Sequence, residues 1–235
     1  MRKEKLLFIM TGGTIDSRFE PTKDAVITSR KSQIPQYIAH LKLHSDCSYF
    51  VACMKDSREL TRADRSRILH AVESAKARQI VICHGTYTMA QTGVYLEQNM
   101  KKGSKTVVLT GSMVPVSGFF VSDAPFNLGY AISSVQKLPH GVYICMNGRV
   151  FAPSKVEKNI SIGRFEWKYL LSSLPTVEGL EKRLGQKRIG WHLSNSDRAR
   201  ICTLREGCKA KLKVKGKEYA VELKNGEYNL YGLEK

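Results

Sequence analysis

The chain has 235 residues, of which 42% are hydrophobic and 25% are charged, a composition typical of a soluble globular protein with a sizeable core. The apolar run LLFIM near the start is too short for the core of a signal peptide, and no later run approaches a membrane span, so we expect no membrane partner. The formal net charge of +17 instead indicates attraction to polyanions such as nucleic acid, or to an acidic protein.

Between residues 6 and 150, short apolar runs alternate with amphipathic stretches, which is the pattern of a parallel sheet wrapped by helices. We therefore predict an α/β fold, a three-layer doubly wound parallel sheet, for a first domain over residues 1–167. The predicted strands are LLFIM (6–10), YFVACM (49–54), QIVICH (79–84), TVVLTG (106–111) and GVYICMN (141–147).

Three stretches between these strands have helical periodicity. RADRSRILHAVESAKAR (62–78) follows Thr61, a suitable N-cap with Asp64 three residues later. TMAQTGVYLEQNMKK (88–102) is similar, and DAPFNLGYAISSVQK (123–137) begins with a favourable Asp123 and an early proline.

Polar or glycine-containing segments follow four of the predicted strands directly: TGGT, KDS, HGTYT and TGSM. The carboxyl ends of parallel strands lie at one edge of a sheet, and ligands bind there where the strand order reverses. The sequence therefore predicts a small-molecule site at this edge.

Residues 168–235 differ in character and predict a small α+β module. SLPTVEGLEKRLGQKR indicates a short helix, and CKAKLKVKGKEYAVELKNGEYNLYGL has the period of two of a β-meander, with a turn at Asn225-Gly226. This region has 15 Lys and Arg residues against 8 Asp and Glu, a net charge of +7. The positive charge is therefore spread over both parts of the chain.

TGGTI allows two interpretations on its own. A Gly-Gly turn after the first strand can cradle a phosphate, but neither GxGxxG nor GxxxxGK[ST] is present. Alternatively, the glycines let a substrate approach while Thr14 offers a hydroxyl nucleophile, which would need a base and an oxyanion pocket.

Seven segments occur in a specific order: TGGTI, KDS before LTRADR, HGTYTMAQT, VVLTGSM, SDAPFNLGYA, GVYICMNGRVF and VEKN. Together they resemble the L-asparaginase family, in particular its short, single-domain, type-I-like members. The resemblance covers about residues 5 to 167 and implies the fold of the asparaginase N-terminal domain. Residues 168–235 lie outside it.

The resemblance implies an amidohydrolase without a cofactor or metal, in which Thr14 attacks a side-chain amide and ammonia leaves. Thr86 matches the second active-site threonine, Lys158 the catalytic lysine, and Ser57 the residue that holds the substrate carboxylate. A desolvated lysine beside a hydroxyl can act as its base.

Further residues complete the expected pocket. Arg58, next to Ser57, adds positive charge at the carboxylate end and favours an anionic ligand. Backbone amides in two turns are candidates for stabilising the oxyanion: Gly13, Thr14, Gly111 and Ser112.

Tyr87 departs from the family motif HGTDT, whose aspartate receives the α-ammonium group of the substrate and partners the lysine. A phenol is neutral at pH 7 and cannot replace that carboxylate. A lost charge-assisted hydrogen bond costs about 1.5–3 kcal/mol, so we expect a substrate other than free L-asparagine, such as an amide without a free α-amine. A second departure is Phe19, at the position nearest to the lid tyrosine of short family members.

Two other interpretations stay open. One is a catalytically inactive ligand-binding or regulatory protein, and the other is a protein whose basic module docks on nucleic acid or an acidic partner. Lys209, Lys211, Lys213 and Lys215 would form a ladder for phosphates, with Tyr228 and Tyr231 nearby for stacking; a solvated edge strand explains the lysines equally well.

The remaining expectations concern the setting of the protein. The cysteines form no CxxC pair and no Cys/His cluster, which predicts free thiols and a reducing cytoplasm. The partners expected from the resemblance are a small-molecule amide or amino-acid-like ligand and further copies of the chain in a homo-oligomer.

Overall fold

The computed structural model describes residues 4–101, 103–118, 121–167, 209–214, 217–224 and 227–232. The chain forms two compact units, Met1–Lys168 and Tyr169–Lys235.

A six-stranded sheet lies at the centre of the first unit. Its strands, in the order of the sheet, are β4 (Asp46–Lys55), β1 (Lys5–Gly12), β5 (Gln79–Cys83), β6 (Thr106–Thr110), β7 (Gly141–Met146) and β8 (Arg149–Phe151). The first five are parallel, and β8 pairs antiparallel with β7. After β1 the chain turns outward to β4 and then returns past β1 to β5, so the strand order reverses between β1 and β5.

Two hydrophobic clusters cover the two faces of this sheet. Along β1, Leu6, Phe8 and Met10 belong to one cluster, whereas Leu7 and Ile9 belong to the other, because successive side chains of a strand point to opposite faces. Helices α1 (Ile34–His40) and α4 (Ala124–Lys137) contribute to the first cluster, and α2 (Arg62–Ser74) and α3 (Met89–Asn99) to the second. The predicted three-layer α/β architecture is confirmed.

The predicted elements agree with the structure except at some ends. Thr61 caps α2 as predicted, in a capping box with Asp64, but the helix ends at Ser74 rather than at Arg78. Asp123 precedes α4 without a side-chain capping bond, since its carboxylate accepts hydrogen bonds from the amides of Met113 and Val114. The short α1 and the strand β8 were not predicted.

Two small hairpins complete the first unit. Strands β2 (Ser17–Glu20) and β3 (Ala25–Thr28) pair antiparallel directly after the Thr14 turn, with Phe19 opposite Val26. Strands β9 (Val156–Asn159) and β10 (Arg164–Trp167) form the other hairpin, which carries Lys158 opposite Phe165.

In the second unit, the described residues form an antiparallel sheet of β11 (Lys209–Val214), β12 (Lys217–Lys224) and β13 (Glu227–Gly232), in that order. Lys211 is exposed. Three predicted features lie outside the described residues: Lys215, the Asn225-Gly226 turn and the short helix within SLPTVEGLEKRLGQKR that is expected to end near Gly185.

Candidate active site

Thr14 and Thr86 follow the two strands between which the strand order reverses. Thr14 comes after β1, and Thr86 comes after β5. This is the position at which open parallel sheets bind ligands. Ser57 follows the neighbouring strand β4, and Gly111 follows β6, so all four predicted segments lie at the same sheet edge.

Glycines allow three of these loops to touch through their backbones. A Cβ atom on Gly13 would lie 2.2 Å from the Cα atom of Gly85. A Cβ atom on Gly85 would lie 2.7 Å from the Cβ atom of Ser57. Gly13 also has a φ angle of 79°, in the region that L side chains rarely adopt. The turns that carry Thr14 and Thr86 are therefore in backbone contact, since each threonine directly follows one of the two glycines.

Thr14 begins a single 3₁₀ turn, Thr14–Asp16, and is partly buried. The buried carboxylate of Asp16 anchors the turn by accepting hydrogen bonds from Ser32 Oγ at 2.8 Å and from the Gln33 amide at 2.8 Å. Burial raises the pKa of Asp16, against the lowering effect of these hydrogen bonds. Asp16 and Ser32 belong to no distinctive sequence motif, so their pairing was not predicted.

Lys158 and Thr86 are in direct contact at this edge. Lys158 Nζ donates a hydrogen bond to Thr86 Oγ1 at 2.7 Å, and Thr86 is almost fully buried. Desolvation lowers the pKa of Lys158, the positive charge of Arg58 lowers it further, and Asp56 and Asp123 oppose the shift. A lysine whose pKa is lowered in this way can exchange a proton with the hydroxyl that it contacts.

The ring of Tyr87 lies against two cations. Lys158 Nζ is 3.9 Å from the ring centroid and Arg58 Cζ is 4.6 Å from it, and 46% of Tyr87 is exposed. Both distances are within the range of a cation–π interaction. The aromatic side chain thus takes part in the site, and it supplies no negative charge there.

Arg58 is held in place by Asp56. Its Nε and Nη2 atoms donate hydrogen bonds to the carboxylate at 3.0 and 2.8 Å, which lowers the pKa of Asp56. Because both side chains are partly exposed, this pair adds more to the position of Arg58 than to stability.

Ser57 is buried and ties its loop to the loop after β5. Its carbonyl accepts a 2.6 Å hydrogen bond from Thr88 Oγ1, and its own Oγ accepts a longer one, 3.4 Å, from the Thr88 amide. The predicted substrate-binding serine thus lies next to Gly85 in the loop that carries Thr86.

A buried chain of hydrogen bonds supports the loop after β5. His84 Nδ1 lies 2.7 Å from the Gly85 carbonyl and therefore donates to it, so its Nε2 accepts from Thr92 Oγ1 at 2.9 Å. Arg65 Nε donates to the same hydroxyl at 3.2 Å. Burial lowers the pKa of His84 to about 4, which keeps the imidazole neutral. No role was predicted for His84, although its position next to the Gly-Thr pair is a usable signal.

Gly111 and Ser112 lie in a turn that is hydrogen-bonded to α4. A Cβ atom on Gly111 would be 2.3 Å from the His84 carbonyl oxygen, so this turn also touches the loop after β5. Asn127 Nδ2 donates a 3.0 Å hydrogen bond to the Gly111 carbonyl. Ser112 is fully buried, and its Oγ donates to the Val114 carbonyl.

One of the four backbone amides predicted to stabilise an oxyanion already donates a hydrogen bond within the protein. The Gly13 amide donates a 2.9 Å hydrogen bond to the Lys55 carbonyl, which binds the Thr14 turn to the end of β4.

Within the described part of the chain, no cluster of three or more His, Cys, Asp or Glu side chains suits a metal ion. None of the helices described above is both long and apolar enough to cross a membrane. Cys47, Cys53, Cys83 and Cys145 are free thiols.

A family model described as Asparaginase, N-terminal, matches residues 5–165. Among curated relatives, a glutaminase-asparaginase of Acinetobacter glutaminasificans is 29% identical over 171 residues, which are 68% of this chain and 51% of the relative. An L-asparaginase of Thermococcus kodakarensis is 38% identical over 84 residues, 36% of this chain and 25% of the relative.

Solved structures give the same result. The thermostable L-asparaginase from Thermococcus kodakarensis superimposes with a TM-score of 0.59 at 30% identity, covering 69% of this chain and 51% of that one. The L-asparaginase I from Vibrio cholerae has a TM-score of 0.61 at 23% identity, covering 71% and 52%, and supports the fold alone. The chain thus spans about half the length of the asparaginases that it matches.

Proposed function

Because this chain belongs to the asparaginase family, we propose that it is an amidohydrolase that uses Thr14 as its nucleophile and releases ammonia from an amide. In the proposed reaction, Thr14 Oγ1 loses its proton and bonds to the amide carbon. The tetrahedral intermediate then expels protonated nitrogen as ammonia and leaves an acyl ester on Thr14. Water hydrolyses this ester and restores the hydroxyl.

The observation that carries the proposal is the 2.7 Å hydrogen bond between Lys158 and Thr86 beside the Thr14 turn. The lowered pKa of Lys158 makes its neutral amine more accessible near neutral pH. Thr86 lies between the lysine and the glycine contact that leads to Thr14, so it suits the relay of a proton between them.

The other parts of the proposed site follow from their positions. The amides of Thr14, Gly111 and Ser112 are the candidates for the oxyanion, since the Gly13 amide is bonded to Lys55. Ser57 and Arg58 are candidates for contact with a substrate carboxylate, Arg58 as the group that carries the charge.

We propose that the substrate differs from free L-asparagine. The Tyr87 ring lies against Lys158 and Arg58, and the carboxylate of Asp56 is already paired with Arg58. An α-ammonium group there would meet positive charge and lose its counter-ion, whereas an amide with a carboxylate and no free amine would meet Arg58 favourably.

Ammonia release from free, N-acylated and desamino amides tests the function, with Thr14→Ala as the control. Turnover of an amide by the wild type and not by the variant is the expected result. If no amide is turned over above the Thr14→Ala level, the chain is not an amidohydrolase. Thermal stabilisation by one of these compounds without product would then favour an inactive ligand-binding or regulatory protein.

A second proposal concerns residues 168–235, whose net charge is +7 and whose described sheet carries the exposed Lys211. We propose that this unit docks the protein on nucleic acid, an acidic protein being the other candidate. The full chain should bind single-stranded RNA with an affinity that falls steeply with salt, and Lys211→Glu should weaken binding and reduce the salt slope. Affinity that is indifferent to salt would refute nucleic-acid docking.

A further inference from the structure

The side chain of Asn147 joins the turn after β7 to the hairpin that carries Lys158. Asn147 Oδ1 accepts a 2.9 Å hydrogen bond from the backbone amide of Phe165 on β10. Phe165 is almost fully buried and lies directly opposite Lys158 in the pairing of β9 with β10. The bond therefore acts at the point of the hairpin from which the Lys158 side chain extends.

The turn itself does not require this contact. Asn147 and Gly148 connect β7 to the antiparallel β8, and their φ angles are 52° and 73°. Asparagine followed by glycine is favoured in such two-residue turns because both residues tolerate a positive φ angle. Glycine or aspartate at the first position would serve the turn equally well. The hydrogen bond from the Asn147 side chain to the hairpin is thus an additional feature.

Asn147 is itself anchored to α4 through Asn127. The Asn147 amide donates a 3.1 Å hydrogen bond to Oδ1 of Asn127, which is fully buried. Asn127 Nδ2 donates to the Gly111 carbonyl at 3.0 Å and to the Asp123 carboxylate at 3.0 Å. Both polar atoms of the Asn127 side chain are therefore hydrogen-bonded, and a buried polar network that is satisfied in this way is rigid.

These hydrogen bonds form a closed ring of contacts at the proposed site. Gly111 belongs to the turn proposed for the oxyanion, and this turn touches the loop after β5. Lys158 contacts Thr86 in the same loop. The lysine and the oxyanion turn are therefore connected twice, once through the loop of Thr86 and once through Asn147 and Asn127.

We propose that Asn147 is a positioning residue that holds the Lys158 amine at Thr86, at a fixed separation from the Gly111 turn. Its effect on turnover rests on the proposed function, because Lys158 acts on substrate only if the chain is an amidohydrolase. The position of the amine can nevertheless be measured without turnover. A displacement of about 1 Å in a catalytic group can lower a rate about 100-fold.

Apolar contacts should keep the hairpin folded when the Asn147 bond is removed. The Trp167 ring on β10 packs edge-to-face on Phe151, with ring centroids 4.9 Å apart, and Phe165 belongs to a hydrophobic cluster of the sheet. Loss of the bond should therefore displace Lys158 without unfolding the hairpin. The displaced amine is more exposed to water, and because desolvation is the main cause of its lowered pKa, this pKa should rise.

Two substitutions at position 147 separate the hydrogen bond from the turn. Asn147→Gly keeps a backbone that tolerates a positive φ angle but removes the acceptor for the Phe165 amide, whereas Asn147→Asp keeps both. Lys42→Gly is the matched control, because Lys42 also has a positive φ angle, 49°, and is exposed. Circular dichroism verifies that each variant is folded.

Labelling of Lys158 with acetic anhydride at a series of pH values, measured by mass spectrometry, reports the pKa of its amine whether or not the protein turns over an amide. None of the variants alters the titratable groups that surround Lys158 from other elements, which include Arg58, Asp56, Tyr87 and Asp123. The midpoint of labelling should move to higher pH in Asn147→Gly and stay in place in Lys42→Gly.

Ammonia release provides the second measurement. Asn147→Gly should lower kcat about 10- to 100-fold with little change in KM, and Asn147→Asp should recover most of this loss. An unchanged labelling midpoint in Asn147→Gly, or a kcat no higher in Asn147→Asp than in Asn147→Gly, would overturn the proposal. If the wild type releases no ammonia from any amide, the proposed function fails, and the labelling alone decides whether Asn147 positions the lysine.

Discussion

Lys158 Nζ lies 3.9 Å from the centroid of the Tyr87 ring. Tyr87 directly follows Thr86, whose hydroxyl accepts the hydrogen bond from the same lysine. The ring therefore takes the place of a negative charge at the point where the proposed base is held. Replacement of Tyr87 by aspartate should supply a counter-ion for the α-ammonium group of free asparagine. Since such a charge-assisted contact contributes about 1.5–3 kcal/mol, kcat/KM for asparagine should rise roughly 10- to 150-fold.

Tyr87→Asn is the control for this change, because it opens the same space without a charge. Ammonia release from asparagine should improve much more with aspartate than with asparagine at position 87. Equal improvement in both variants would mean that the tyrosine acts through its volume alone.

Arg58 should set the pH at which the proposed base becomes active. Its positive charge lowers the pKa of Lys158, and it also pairs with Asp56, whose negative charge raises that pKa. Arg58→Gln removes the positive charge and leaves the negative charge of Asp56 unpaired, and both changes raise the pKa of Lys158. If neutral Lys158 is the base, the rising limb of the pH profile of kcat should move to higher pH in the variant. A limb that stays in place or moves down would contradict this assignment.

Substitution of Lys158 should separate its charge from its ability to lose a proton. Arginine keeps the positive charge but stays protonated, so Lys158→Arg should reduce kcat by about 10²- to 10⁴-fold, the usual contribution of a general base. Lys158→Met should give a similar loss. Near wild-type turnover in Lys158→Arg would show that only the charge is needed.

Gly13→Ala should disturb the site far more than an alanine at another glycine of similar backbone conformation. Gly103 has a φ angle of 89° and no neighbour within 4 Å of an added Cβ atom, whereas Gly13 has a φ angle of 79° and Gly85 at 2.2 Å. Gly103→Ala should cost about 1–2 kcal/mol in the free energy of unfolding, the cost of the left-handed conformation. Gly13→Ala should cost more than about 3 kcal/mol, because backbone must also move. If urea unfolding gave the same loss of unfolding free energy for both variants, the loops of Gly13 and Gly85 would separate easily.

His84 should make the protein less stable in mild acid. Its pKa is lowered from 6.5 to about 4 in the folded state, so below pH 6.5 the unfolded chain takes up a proton that the folded chain does not. Stability is therefore unaffected above pH 6.5 and falls as the pH decreases toward 4, by about 3 kcal/mol in total at 1.36 kcal/mol per pH unit. Between pH 6.5 and 4, the slope of the unfolding free energy against pH should be smaller in His84→Gln, whatever the absolute stability of the variant. An unchanged slope would show that other groups cause the pH dependence.

The sequence patterns predicted the inner strands well because β1, β5 and β6 are buried on both faces and are therefore largely apolar, as in QIVIC of β5. The capping box of Thr61 and Asp64 is local in the chain, so it too could be predicted. The end of α2 at Ser74 could not, since Ala75 and the following residues keep the apolar spacing of a helix. Strand β8 was missed because three residues are too few to show a period.

The candidate site divides in the same way. The segments that contain Thr14, Ser57 and Thr86 could be placed at one sheet edge because each comes after a predicted strand, whereas the roles expected of Ser57, Thr86 and Lys158 came from the resemblance. Asp16 and the chain from Arg65 through Thr92 to His84 were missed, since these contacts join residues far apart in the chain. Nothing in the local sequence shows that their polar groups meet.

The contact between Gly13 and Gly85 also bears on how such a site can diverge. The turns of Thr14 and Thr86 are held together by backbone atoms of Gly13 and Gly85 that leave no room for a side chain, a contact in which the residue at position 87 takes no part. That residue is half exposed and projects from a loop whose shape is already determined by its neighbours. Single substitutions at position 87 can therefore change which ligand groups the site favours. The backbone contact that holds the Thr14 and Thr86 turns together stays the same.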